Sequence, residues 1–175
     1  MDLKKHIRTV PNFPTNGIMF RDVTTLFNHA SAFEQTVSEF VDLWKEKKVE
    51  AIAGIDARGF IIGGAIASKL RLPFVALRKK GKLPYKTLSE EYDLEYGKAS
   101  LEIHIDAIKN GTSVLIVDDL IATGGTAIAG VNLIKAIGGN IVGCGFIVDL
   151  PDLGGAKKLE GLGVKVKSLI AYEGE

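Results

Sequence analysis

Apolar residues recur at helical spacing over residues 33–44, at Phe33, Val37, Phe40, Val41 and Trp44, which predicts an amphipathic helix. The run EAIAGI at 50–55 predicts a buried strand, residues 59–70 a helix and 73–77 a second strand. Leu101, Ile103 and Ile105 alternate with Glu102, His104 and Asp106, the period of a half-buried strand. Residues 113–117 are almost continuously apolar, as in a parallel strand covered on both faces. A helix is predicted over 125–137, ended by Gly138-Gly139, then a strand over 140–148, a short helix over 153–162 and a last strand over 164–170. The rhythm breaks over 78–97, where Arg78, Lys79, Lys80, Gly81, Lys82 and Pro84 precede several acids. That stretch is expected to be an exposed and partly mobile excursion. Strands alternating with helices predict an α/β fold with a mostly parallel central sheet flanked by helices. Ligands in such sheets bind beyond the carboxyl ends of the strands.

Composition narrows the classes. At 175 residues the chain fits one domain, 1–175. Lys and Arg total 22 against 21 for Asp and Glu, a balance without the basic excess of a nucleic-acid binder. The charged start, Met1 to Arg8, lacks an apolar core after it, and no apolar run approaches the ~20 residues of a bilayer span. A cytoplasmic protein with neither nucleic-acid nor membrane partners is expected. The single cysteine, Cys144, excludes an internal disulfide and a cysteine-built zinc site. His6, His29 and His104 have no metal-ligand spacing. Glycine is the outlier, at 20 of 175 against a usual share of about 7%.

The chemistry concentrates in residues 114–126, VLIVDDLIATGGT. A buried strand leads into two adjacent carboxylates, Asp118 and Asp119. A short loop then opens a helix through Ala122, Thr123, Gly124, Gly125 and Thr126. Amide N–H groups at a helix N-terminus, free of bulky side chains, form an anion site. The acids beside it suit hydroxyls or a metal. Ribose 5-phosphate presents that combination. Taken alone, Thr-Gly-Gly is as readily a turn with a cap, and strand-end Asp residues often cap loops. Other nucleotide signatures fail on detail. Gly54 to Gly59 is followed by Phe60 rather than Gly-Lys-Ser/Thr, and Gly143-Cys-Gly145 lies inside a predicted strand.

Residues 114–126 resemble the phosphoribosyl-diphosphate (PRPP) signature of type I phosphoribosyltransferases. Other segments are similar to the adenine phosphoribosyltransferase family: PNFPTNGIMFRDVT at 11–24, GIDARGF at 54–60, RKKGKLP at 78–84, YDLEYG at 92–97, LEIHID at 101–106 and DLGG at 152–155. The likeness runs in order from residue 11 to about 162. It departs at Thr15-Asn16, where the family pattern has Pro before the glycine.

The resemblance implies the type I phosphoribosyltransferase fold, with a small base-binding hood from the N-terminal segment and a mobile catalytic loop. It implies the reaction of adenine with PRPP to give AMP and pyrophosphate, with Mg²⁺ held mainly by PRPP and no certain protein ligand, in a homodimer. Ala122 to Thr126 would hold the 5′-phosphate, and Asp118 and Asp119 would face the ribose hydroxyls. Arg58, Lys82, Arg78 and Lys79 would meet the departing pyrophosphate, with Asp56 and Ala57 in the preceding loop, whose peptide can be cis in this family. Phe20 would stack on the base, Met19 and Arg21 would read its edge through the backbone, and Leu120 would pack on its other face. Glu95 would move a proton at the purine ring, with Tyr96 shaping the closed site. Without the likeness, the basic run is a solvated turn, Phe20 is core, Glu95 is one acid among several, and Cys144 is a buried small apolar residue. Two rivals remain: a transferase for another base, and a non-catalytic PRPP-sensing regulator, which would bind nucleic acid with ionic-strength dependence.

Overall fold

The computed structural model describes residues 1–94 and 97–174. After a 3-10 turn at Leu3–His6 come two short strands, β1 (Arg8–Pro11) and β2 (Met19–Asp22), paired antiparallel as a separate ribbon. Next come α1 (Thr24–Phe27), α2 (Ala30–Trp44), β3 (Ala51–Ile55), α3 (Arg58–Leu70), β4 (Phe74–Lys79), β5 (Thr87–Asp93) and β6 (Lys98–His104). The chain continues through β7 (Ser113–Ile121), α4 (Gly125–Ala136), β8 (Asn140–Asp149), α5 (Gly155–Gly161) and β9 (Val166–Ala171). The larger sheet has the order β5-β6-β4-β3-β7-β8-β9. From β4 to β9 its neighbours are parallel, and β5 and β6 are antiparallel additions at one edge.

The apolar runs of the central strands divide by parity between two cores. Ala51, Ala53 and Ile55 of β3 and Val114 and Ile116 of β7 pack on the α4 side. Ile52, Leu115 and Val117 face α2 and α3 on the other. A strand buried on both faces has no polar positions to spare, which is why these segments read as continuous. The Trp44 ring covers β8 where Gly143 and Gly145 leave room; a Cβ at Gly143 would lie 2.3 Å from the ring.

Three expectations are corrected. Within the stretch read as an exposed excursion, Thr87–Asp93 is a strand whose seven residues pair with β6 from Thr87↔His104 to Asp93↔Lys98. It escaped the pattern because it is an edge strand of mostly polar residues, held by backbone pairing rather than by an apolar face. β7 runs on past the predicted 117 to Ile121, so Asp118 and Asp119 lie inside its C-terminal end. In β6, Ile105 falls beyond the strand and is exposed, whereas Glu102, on the supposed polar face, is buried. Among the described residues no helix is long and apolar enough to cross a membrane.

The fit between Trp44 and β8 gives a direct test. Gly143→Ala forces a methyl into the indole and into the Lys165 carbonyl, which would be 2.7 Å away. Overpacking of this kind costs about 1–3 kcal/mol. Denaturant unfolding of the variant is expected to show that loss, and an unchanged midpoint would contradict the packing.

Candidate active site

Parallel pairing of β4, β3 and β7 brings their carboxyl ends to one rim, with Ile55 opposite Leu77 and Gly54 opposite Val117. The first loop at this rim is Asp56-Ala57, joined by a cis peptide, and Arg58 begins α3 directly after it. The Arg58 Nε donates to Asp119 Oδ2 at 2.5 Å. Asp119 is almost fully buried, while the Arg58 side chain remains 44% exposed and open to the rim. Burial works against the charge of Arg58, but the carboxylates around it, Asp119 first and then Asp118 and Asp22, together outweigh it and hold the guanidinium more firmly protonated. Asp118 feels the opposite balance. Burial, and then repulsion from Asp119, push its carboxyl well above the usual carboxylate range.

Gly59 permits this crowding. A Cβ there would lie 2.8 Å from the Val117 carbonyl and 2.9 Å from Asp118 Oδ1. Asp118 Oδ1 also accepts the Asp119 N–H at 2.9 Å. The motif-based reading passed over Gly59 itself; the signal was a glycine immediately after the loop arginine, where helix and strand must meet.

The second loop, Ala122 to Gly124, leads into α4. Gly124, at φ +87°, stands at the N-cap, and no side chain caps the helix. The first amides therefore remain available to an anion. A recess of about 200 Å³ opens here, lined by Asp118, Leu120 and residues 121–127. The loop is braced from behind by Gly155, whose N–H donates to the Ala122 carbonyl at 2.9 Å. A Cβ at Gly155 would come within 2.4 Å of that oxygen. Lys158 Nζ donates to the Thr123 carbonyl at 3.2 Å. The sequence marked 152–155 as a matching segment without giving it a task, and this bracing is that task.

Basic residues gather on the other flank. Asp56 Oδ2 accepts from Lys79 N at 3.3 Å and Arg78 Nε at 3.5 Å, and Arg78 Nη1 donates to the Lys82 carbonyl at 3.2 Å. Arg78, Lys79 and Lys82 are thus tied to the Asp56-Ala57 loop.

The N-terminal ribbon stands over the rim. Phe20 is half-buried, edge-on to Phe13 at 5.1 Å, with the Arg58 guanidinium 6.0 Å from its ring centre. Arg21 stacks on Tyr172 at 4.1 Å and donates to the Thr9 hydroxyl. The partner of Asp22 is Arg8, at 2.6 Å. The Thr24 hydroxyl, with Arg8, lowers the Asp22 carboxyl to about 2 against the effect of burial. At the Thr15-Asn16 departure the turn is closed by the Asn12 side chain, which accepts the Gly17 N–H at 2.9 Å.

A cleft of about 760 Å³ separates ribbon from body, bordered by Ile18, Met19, Asp93, Leu94, Thr123 and Gly125 among others. The rim therefore gathers the expected loop, carboxylate and ribbon residues. Lys82 lies on an exposed turn at its edge, and Glu95 and Tyr96 lie outside the described residues. Among the described residues no group of three or more His, Cys, Asp or Glu could hold a metal ion. Asp118 borders the recess at the start of α4, with Asp119 beside it.

The family model described as "Phosphoribosyl transferase domain" matches residues 25–167. The chain is 55% identical over 174 residues to an adenine phosphoribosyltransferase of Maricaulis maris, covering 99% of each. The fold superimposes on the crystal structure of adenine phosphoribosyltransferase from Thermoanaerobacter pseudethanolicus with a TM-score of 0.94, at 44% identity and 98% coverage of both chains. It matches the Saccharomyces cerevisiae enzyme, solved with an imino-altritol bisphosphate and adenine, with a TM-score of 0.90, at 36% identity and 96% coverage of both. With the family model spanning most of the chain and these relatives covering nearly all of it, the chain belongs to the adenine phosphoribosyltransferases of the phosphoribosyl transferase domain family.

Proposed function

We propose that this chain transfers the 5-phosphoribosyl group of PRPP to adenine, giving AMP and pyrophosphate, as a step of purine salvage. One observation carries the reading: an anion loop at the N-terminus of α4 adjoins two carboxylates, one ion-paired to an arginine that faces the rim. The 5′-phosphate sits on the amides of Ala122, Thr123, Gly124, Gly125 and Thr126. Asp118 and Asp119 face the ribose hydroxyls, and negative charge there, carried by Asp119 and by Asp118 once a substrate-borne cation favours its ionised form, favours the oxocarbenium character that develops at C1. Arg58, with Arg78, Lys79 and Lys82, stabilises charge on the departing pyrophosphate, and Asp56 and Ala57 shape that loop. Mg²⁺ supplies charge neutralisation on the diphosphate and keeps most of its ligands from water and substrate.

The base enters the cleft under the ribbon. Phe20 stacks on it, Met19 and Arg21 present backbone to its edge, and Leu120 closes the other face. Glu95 takes part in proton transfer at the ring, with Tyr96 beside it. The chain works in the cytoplasm as a homodimer.

Turnover of a purine panel with PRPP and Mg²⁺ tests the reading. A site that satisfies a 6-amino group leaves a buried polar atom unpaired against a 6-oxo base. Adenine is therefore expected to exceed hypoxanthine in kcat/KM by at least about 100-fold. Equal values would sink the adenine assignment.

The residue roles separate in kinetics. Asp118→Asn and Asp119→Asn are each expected to lower kcat/KM for PRPP by about 10- to 100-fold while circular dichroism stays native. Glu95→Gln is expected to slow the single-turnover chemical step by about 10²–10⁴-fold with a smaller effect on PRPP affinity. Wild-type PRPP use in both Asp variants would remove them from the ribose site, and an unchanged chemical step would remove Glu95 from proton transfer.

A further inference from the structure

Among the described residues the buried polar or charged side chains are Thr36, Asp119 and Glu102. The Thr36 hydroxyl donates to the Ala32 carbonyl inside α2, and Asp119 pairs with Arg58. Glu102 belongs to neither arrangement. It stands in the middle of β6, opposite Arg78 of β4 and Ser89 of β5, and is 8% exposed. A carboxylate is costly to bury unless it is hydrogen-bonded or paired. Glu102 Oε2 accepts the N–H of Gly81 at 3.0 Å.

Gly81 is the pivot of the basic turn. The Lys82 N–H closes the turn on the Lys79 carbonyl at 3.3 Å, and Gly81 takes φ +78°, the geometry that favours glycine at the third turn position. Besides the Lys79 N–H bond to Asp56 at 3.3 Å, three further bonds tie this turn to the body. Lys80 N donates to the Ser100 carbonyl at 3.2 Å, Gly81 N to Glu102, and Arg78 to the Lys82 carbonyl. Only the bond through Glu102 reaches the apex with a buried acceptor. Arg78 in turn bonds Asp56 of the first rim loop. The turn is therefore held at its apex by Glu102 and linked through Arg78 to the loop that precedes Arg58.

We infer that Glu102 is a positioning residue for the transfer reaction, fixing the 79–82 turn so that Lys82 and Arg78 meet the diphosphate of PRPP. The inference rests on the reading that places those cations at the diphosphate. Glu102 touches no substrate and acts only through the Gly81 amide. Its removal should release the turn on the diphosphate side and leave the base cleft alone, because that cleft is bordered by other elements.

The test compares Glu102→Leu, which removes the acceptor, with Glu102→Gln, which keeps a side-chain oxygen within reach of Gly81 N. Glu102→Leu is expected to raise KM for PRPP by about tenfold with KM for adenine unchanged. Glu102→Gln is expected to restore KM for PRPP to within about twofold of the parent. In a Lys82→Ala background, Glu102→Leu should add less than about twofold, since residues acting through one another are non-additive. Should Glu102→Leu not fold, Glu102→Asp replaces it: one methylene shorter, it withdraws from Gly81 and should raise KM for PRPP in the same selective way. An unchanged KM for PRPP, an equal rise in KM for adenine, or full additivity with Lys82→Ala would each overturn the inference. Lys82→Ala alone distinguishes the two levels. If it leaves KM for PRPP unchanged, the placement of Lys82 at the diphosphate fails and the inference with it. If it raises KM while Glu102→Leu does not, only the role of Glu102 fails.

Discussion

Two carboxylates on consecutive residues at the end of a buried strand repel one another and resist desolvation, and the architecture of the rim answers that constraint. Arg58 supplies the compensating cation at 2.5 Å from Asp119. It can do so only because α3 starts directly against β7, and that approach depends on Gly59. The pairing neutralises Asp119 but not Asp118, whose carboxyl stays pushed up by burial and by its neighbour. Asp118 is thereby biased toward its neutral form in the free protein, and a cation brought beside the pair would favour its ionised form.

The phosphate end is built on the opposite principle. It presents no cationic side chain in the recess and relies on unpaired amides at the start of α4. Such amides hold an anion only if their loop keeps its shape, and the bracing by Gly155 and Lys158 from the α5 side does that. The opposite flank carries long, exposed cationic chains, whose backbone is tethered instead. Asp56, Arg78 and Glu102 form that tether.

Much of this was legible from sequence where burial dictates pattern. The five apolar positions of α2, the continuous β7 and the acid pair running into Thr-Gly-Gly each report a local requirement. Three features were not legible because non-local contacts decide them. Thr87–Asp93 has too few apolar positions to announce a strand, and its partner β6 supplies the order. The ribbon of β1 and β2 is four residues a side, below the length at which alternation speaks. Glu102 alternates as a solvent-facing residue should, and becomes buried only when the 79–82 turn folds onto it. The roles of Glu95 and Tyr96 rest on family resemblance alone.

The central claim is that the rim at the ends of β3 and β7 holds a ribose phosphate, with phosphate on the α4 amides and hydroxyls at the acids. Backbone amide NMR during titration with ribose 5-phosphate tests it without requiring turnover. Saturable shifts concentrated at Thr123, Gly124, Gly125 and Thr126, accompanied by Asp118 and Asp119, are the predicted result. Shifts that do not saturate, or that gather at the opposite end of the sheet around Glu50 and Thr112, would contradict it.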